Sequence, residues 1–226
     1  MMAVGKTTVG GLCASELRWP FLDSDAQLLA DTGRSAQDIF DVDGDEALRT
    51  WEGRVLIEAI AHPVPVVVAV NGVAAGGGFS LAMAGDIIVA ARSAKFIQVF
   101  SRIGLVPDLG STWLLPRLIG RQRALELMLL NEPLSAERAL EWGLVRQVVD
   151  DDRLRDEAMK LAHRLAEGPT RALVATRQLL EESEHASYSA QFRREIEVQA
   201  DIRQSADALE GRQAFVEKRA ARFGGR

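Results

Sequence analysis

Apolar positions along the chain fall into two kinds of pattern. From Pro63 to Ala69 a valine-rich run bounded by proline shows no polar alternation, which predicts a buried strand. The glycines Gly76, Gly77 and Gly78 follow, and a helix is expected over Gly78 to Gly85 before a second strand, Ile87 to Ala91. A further helix is expected over Ser111 to Leu118. Beyond Arg121 the apolar spacing becomes three and four. Ala124, Leu125, Leu127, Met128 and Leu129 make one stripe, and Leu154, Ala158, Leu161, Ala162 and Leu165 another. Ser205 to Arg222 reads as an amphipathic helix with Leu209, Phe215 and Val216 on one side. Strands interleaved with helices and followed by a helical region give an α/β class.

Composition narrows the possibilities. With 226 residues, 47% of them hydrophobic, the chain can build one substantial core, or a small domain attached to a larger one. A net charge of −5 argues against a nucleic-acid surface. Cys13 is the single cysteine, so no internal disulfide can form, and the start lacks the apolar core of a signal peptide; a reducing, cytoplasmic setting is expected. Asn71 and the glycines break the longest apolar stretch below the roughly 18 to 20 residues that cross a bilayer, so no membrane partner is expected. His62, His163 and His185 are far apart in sequence, without cysteine or carboxylate at ligand spacing, and no metal is expected.

The junction of strand, glycines and helix carries the candidate chemistry. Glycine permits close backbone approach, and a helix start presents unpaired N–H groups. Such a turn can hold an anion, either a phosphate or the oxyanion of an enolised thioester. A tight packing turn between strand and helix would read the same way.

From Pro63 to Phe223 the chain resembles the crotonase (enoyl-CoA hydratase/isomerase) family. The resemblance is carried by Val70-Asn71-Gly72-Val73-Ala74-Ala75-Gly76-Gly77-Gly78, Asp86-Ile87-Ile88-Val89-Ala90-Ala91, Ala94-Lys95-Phe96, Gly104-Leu105-Val106-Pro107-Asp108, Leu115-Pro116-Arg117, Leu134-Ser135-Ala136-Glu137-Arg138-Ala139 and Trp142-Gly143-Leu144-Val145. The run Glu210-Gly211-Arg212-Gln213-Ala214-Phe215 is similar to that family's C-terminal helix. The resemblance implies a partial ββα spiral core, an acyl-CoA substrate, no cofactor beyond the coenzyme A of that substrate, and a homotrimer or hexamer. It also implies a missing N-terminal part, including one of two oxyanion donors, which would leave a sheet edge at Val64 to Val70.

By the same resemblance the surviving oxyanion donor is the backbone of Gly77, and Gly76, Phe100 and Trp113 are expected to line the substrate site. The two glutamates used by hydratases fall at Ser80 and Phe100, neither of which exchanges a proton usefully. Asp108 stands where isomerase branches keep an aspartate. It is expected to remove an allylic or α-proton and return it two carbons away, within an apolar pocket of Phe100, Val106 and Trp113. The residues alone equally allow Asp108 as a turn residue capping the next helix. Asp86, between helix and strand, reads as structural. The wording Phe96-Ile97-Gln98-Val99-Phe100 and Thr112-Trp113-Leu114-Leu115-Pro116 is most similar to ring-epoxide phenylacetyl-CoA isomerases, with Δ3,Δ2-enoyl-CoA isomerases close behind. Lys218, Arg219 and Arg222 would approach coenzyme A phosphates of a neighbouring copy, or form a solvated helix end.

Residues 5–58 resemble a different family. Gly5-Lys6-Thr7-Thr8-Val9-Gly10, Leu22-Asp23-Ser24-Asp25, Thr32-Gly33-Arg34-Ser35 and Leu48-Arg49 are similar to a clipped shikimate kinase, a P-loop-kinase-like α/β fragment. In that family Lys6 would meet nucleotide phosphates and Thr7 magnesium, while Asp25 and Arg49 would hold shikimate. A working phosphate loop needs a preceding strand and an earlier glycine, which Met1 to Val4 do not supply. These four are therefore expected to be vestigial. The expectation is a kinase-like fragment over 1–60 and a crotonase-like domain over 61–226. Its function would be that of an acyl-CoA isomerase impaired by truncation, with an inactive coenzyme A binding or scaffolding module as the alternative and a shikimate kinase behind both.

Overall fold

A computed structural model describes residues 29–44, 47, 50 and 64–226. The chain divides into two units, Met1–His62 and Pro63–Arg226. In the first, helix α1 (Ala36–Asp43) begins with a reciprocal cap: Asp38 N donates to Ser35 Oγ at 3.1 Å and Ser35 N to Asp38 Oδ2 at 3.0 Å. The Ser35 hydroxyl, which donates to Asp38 Oδ2 at 2.6 Å, and then the Ser35 N–H hold the Asp38 carboxyl below its usual range.

In the second unit the chain steps repeatedly between two small sheets. Strand β1 (Val67–Val70) turns at Asn71 and Gly72 into β2 (Val73–Ala75), which leads to helix α2 (Gly77–Met83). The step recurs as β3 (Ile87–Ala91) passes into β4 (Lys95–Ile97). A 3₁₀ turn, Phe100–Ile103, then precedes α3 (Ser111–Ile119), α4 (Arg121–Leu130), β5 (Leu134–Ser135), α5 (Ala136–Glu141) and β6 (Gln147–Val149). One sheet has the order β1-β3-β6, all parallel, with Val67 opposite Ile87 and Val89 opposite Gln147. The other has the order β2-β4-β5, parallel between Val73 and Lys95 and antiparallel between Lys95 and Ser135. Four helices complete the unit: α6 (Leu154–Ala166), α7 (Thr170–Ser183), α8 (Tyr188–Ile202) and α9 (Ala206–Glu217). Among the described residues no helix is long and apolar enough to cross a membrane.

The expected strand from Pro63 is shorter than its valine run. Among the described residues β1 pairs only with β3. Val66, just ahead of it, donates instead to the Asp86 carboxylate at 2.7 Å. Asp86 also accepts Arg177 Nε at 2.8 Å, which ties α7 to the start of β3 and gives this aspartate the structural role expected of it. The core lies between the sheets and the helices. Phe79, Val89, Phe96 and Leu115 are wholly buried, and the rings of Phe79 and Phe96 meet with centroids 5.2 Å apart, fixing α2 on β4.

The C-terminal helix is shorter than its amphipathic pattern. It stops at Glu217 because Lys218 takes a left-handed φ of 54°, and Arg219 N then donates back to Ala214 O at 3.0 Å, a Schellman ending. Leu209, Phe215 and Val216 are exposed. Arg219 is held by a fork to both oxygens of Glu210, at 2.6 and 2.9 Å, and by Glu217 at 2.6 Å. The tail beyond folds back: the buried Asp207 carboxylate accepts the N–H groups of Gly224 (2.7 Å) and Arg226 (3.1 Å), and Glu210 accepts that of Arg222 at 2.8 Å.

Arg219, with Arg222 N–H behind it, holds the Glu210 carboxyl at about 2, below its ordinary 4.5. A depressed folded-state value means that the contribution of Glu210 is complete above pH about 4.5 and is lost as pH falls through about 2. Amide exchange at Arg222 is therefore expected to gain an extra acid-induced acceleration within that window. Glu210→Gln should remove the extra dependence; an intact chain that follows only the intrinsic acid curve would show that this carboxylate does not hold the tail.

Candidate functional site

The glycine turn is built by three loops that converge on it. Gly76 has φ 53° and ψ −121°, and its N–H donates to Ile97 O at 2.8 Å, binding the turn to the end of β4. Gly76 O accepts the N–H groups of Phe79 (3.0 Å) and Ser80 (3.1 Å), which closes the first turn of α2. The expected helix thus begins one residue early and ends at Met83. Gly77 and Gly78 sit where no intrahelical acceptor exists, and among the described residues neither N–H has a backbone acceptor. Free N–H groups point out of a turn without side chains.

Steric contact explains why the turn is glycine. A Cβ on Gly76 would stand 3.1 Å from Val99 Cγ2 and 3.6 Å from Phe100 Cζ, and one on Gly77 would stand 3.3 Å from Leu109 Cδ1. Phe100 is buried against the turn, and the Asp108–Leu109 loop covers the other side. Both covering loops hold strained backbone, with Val99 at φ 38° and Leu109 at φ 48°, a region that β-branched valine in particular avoids.

Asp108 is half-buried, with Oδ1 enclosed by protein. Its backbone carbonyl accepts Ser111 N at 3.0 Å, while the cap residue of α3 is Gly110 at φ 78°. Ser80, which the family resemblance sets at a hydratase glutamate position, is fully buried: its hydroxyl lies 2.7 Å from Ser111 Oγ and 3.3 Å from the carbonyls of both Gly76 and Asp108. Gln98, also fully buried, donates Nε2 to Ser111 Oγ at 3.4 Å, and its Oε1 has no partner among the described residues.

The expected apolar pocket is not assembled as read. Val106 is 80% exposed, since it lies in the open loop after the 3₁₀ turn. Trp113 lies on the side of α3 away from buried Ser111 and Leu115, because Arg117 one turn later stacks on its ring at 3.9 Å and His185 approaches at 6.3 Å. Of the expected lining, Gly76, Gly77, Phe100 and the Asp108 loop come together. Leu109, Val99, Gln98 and Ser111 join them and were not singled out by the sequence reading. The one available signal was Gln98, a polar residue inside the apolar run Phe96 to Phe100.

Lys6, Thr7, Asp25 and Arg49 lie outside the described residues. Among those described, no group of His, Cys, Asp and Glu side chains could hold a metal ion. A groove of about 460 Å³ between α7 and α8 is lined by Arg171, Val174, Arg194 and Asp201, and contains no residue of the glycine turn.

The profile of the enoyl-CoA hydratase/isomerase family matches residues 43–226. The chain belongs to that family. The match starts ahead of Pro63, where the resemblance was expected to begin. Over 164 residues, 73% of this chain, it is 51% identical to 1,2-epoxyphenylacetyl-CoA isomerase of Escherichia coli (strain K12), and spans 63% of that relative's length. Identity is 42% over 182 residues to a probable enoyl-CoA hydratase of Rhodobacter capsulatus, covering 80% of this chain and 71% of the relative. Among solved structures, an enoyl-CoA hydratase from Polaromonas sp. JS666 superposes with a TM-score of 0.77 at 31% identity, covering 83% of this chain and 74% of that one. The two-sheet enoyl-CoA hydratase/isomerase fold thus frames the glycine turn.

Within the glycine turn, Gly76 tolerates a side chain least, since it combines a positive φ with the contact to Val99. Gly76→Ala forces an L-residue into the positive-φ conformation of φ 53° and ψ −121°, a strain of about 1–3 kcal/mol, together with the Val99 contact. Its urea unfolding midpoint should fall while the slope stays constant; an unchanged midpoint would show that the turn relaxes freely.

Proposed function

We propose that the chain is an acyl-CoA isomerase of the enoyl-CoA hydratase/isomerase family, acting on a ring-epoxide phenylacetyl-CoA or an enoyl-CoA. The observation that carries this reading is the pair of unaccepted N–H groups at Gly77 and Gly78 beside the Asp108 loop. The Asp108 carboxylate takes a proton from the carbon α to the thioester or from an allylic carbon. The C–H electron pair moves into conjugation with the thioester carbonyl, and the charge on its oxygen is met by Gly77 N–H. For an enoyl-CoA, the neutral Asp108 acid then returns the same proton two carbons away, which moves the double bond and restores the carboxylate. No water is consumed. Ser80 and Phe100, which stand where hydratases carry glutamates, offer no base to activate one.

Support comes from the 51% identity to a 1,2-epoxyphenylacetyl-CoA isomerase and from the covering of the turn by Phe100 and Leu109. The assembly proposed is a homotrimer or hexamer. The exposed Leu209, Phe215 and Val216 of α9 are available for it, while Arg219 is already engaged by Glu210.

Calorimetric titration with acetyl-CoA and turnover assays on both substrate classes test the proposal. Asp108→Asn is expected to keep acetyl-CoA affinity and lose about 10²- to 10⁴-fold in kcat; unchanged turnover would remove Asp108 from the reaction. Gly77→Pro deletes one N–H at a helix position that tolerates proline, and should lower kcat by about 10²- to 10³-fold. Binding without turnover on any substrate would favour the scaffolding module. Protection from thermal unfolding by ATP at micromolar concentration would favour a kinase built on residues 1–60.

A further inference from the structure

We infer that Ser80 is a positioning residue that couples the oxyanion donor to the acid/base loop, an inference that rests on the isomerase reading above. A peptide unit is planar, so fixing the carbonyl at one end fixes the direction of the N–H at the other. Gly76 O and Gly77 N–H belong to one such unit, and Asp108 O and Leu109 N–H to another. The Ser80 hydroxyl lies 3.3 Å from both carbonyls. One proton shared between them sets the aim of Gly77 N–H and the seat of the Asp108 backbone together.

The polarity of the network follows from counting protons. Carbonyls only accept, so Ser80 donates toward Gly76 O and Asp108 O and receives the proton of Ser111 across 2.7 Å. Ser111 Oγ in turn receives Gln98 Nε2. The opposite direction would leave the Ser111 proton without an acceptor among the described residues. Every donor therefore runs from the end of β4 toward the glycine turn. All three side chains are fully buried, so water does not compete for these bonds. Where a hydratase glutamate would meet the substrate, this chain has a brace behind the reacting groups.

Ser80→Ala and Ser111→Ala test the coupling, with Asp108→Asn measured alongside. Misaimed donors and bases cost rate steeply, so Ser80→Ala should lower kcat about 10- to 100-fold with KM little changed. Ser111→Ala, which leaves the Ser80 hydroxyl in place but removes the donor behind it, should cost less, and it carries the test if Ser80→Ala does not fold. Acetoacetyl-CoA supplies a second readout, since its enolate absorbs in the near ultraviolet. In both serine variants the bound ligand should ionise at higher pH than in the parent. Parental kcat and parental enolate titration in both variants, with only a lowered unfolding midpoint, would overturn the coupling while Asp108→Asn still abolishes turnover. Asp108→Asn with full turnover would remove Asp108 from the reaction and overturn the coupling, and a parent that neither binds nor ionises acetoacetyl-CoA would overturn the isomerase reading and this inference with it.

Discussion

The arrangement of the second unit depends on how closely three backbones approach Gly76. The end of β4 bonds its N–H, Val99 and Phe100 cover one side, and Leu109 closes over the neighbouring Gly77. A methyl group at Gly76 would meet Val99 at 3.1 Å, tighter than side chains ordinarily pack. The absence of two side chains therefore allows β4, the start of α2 and the Asp108 loop to share one small volume. Strain at Val99 and Leu109 is the cost of that convergence, and the buried contacts of Phe79, Phe96 and Leu115 around it are what can sustain such strain.

Polar groups inside that volume are economical. Two serines and a glutamine bond to one another there, and none of them carries a charge into the core. A buried hydroxyl costs far less to desolvate than a carboxylate, provided it is bonded. Neutral groups of this kind are compatible with a dry surrounding, and dryness strengthens every dipole aimed into it.

Much of this could be read from residues, but unevenly. The glycine turn and the structural service of Asp86 were legible because each follows from local sterics or from a motif of fixed spacing. The helix end at Glu217 was not: nothing about lysine announces a left-handed conformation, and only the return bond from Arg219 to Ala214 reveals it. The orientation of Trp113 was hidden for a similar reason. The family resemblance set it among the lining residues, and Arg117 one turn later offers its ring a cation at 3.9 Å, a contact that depends on rotamers rather than pattern. Ser111 and Gln98 escaped notice because a sequence reading assigns interiors to apolar residues. Small polar groups bonded to one another are the exception that only coordinates display.

Strand pairing also carries a consequence for the order of folding. The β1–β3 ladder joins Val67 to Ile87 across 20 positions, while β3–β6 joins Val89 to Gln147 across 58. Loop closure makes the longer pairing costlier by about 1 kcal/mol before any contact rewards it. The glycine turn lies wholly within the shorter loop. The segment bearing the candidate oxyanion donor can therefore nucleate early, while the Asp108 loop and α3, which lie beyond β4, must dock onto a turn already closed.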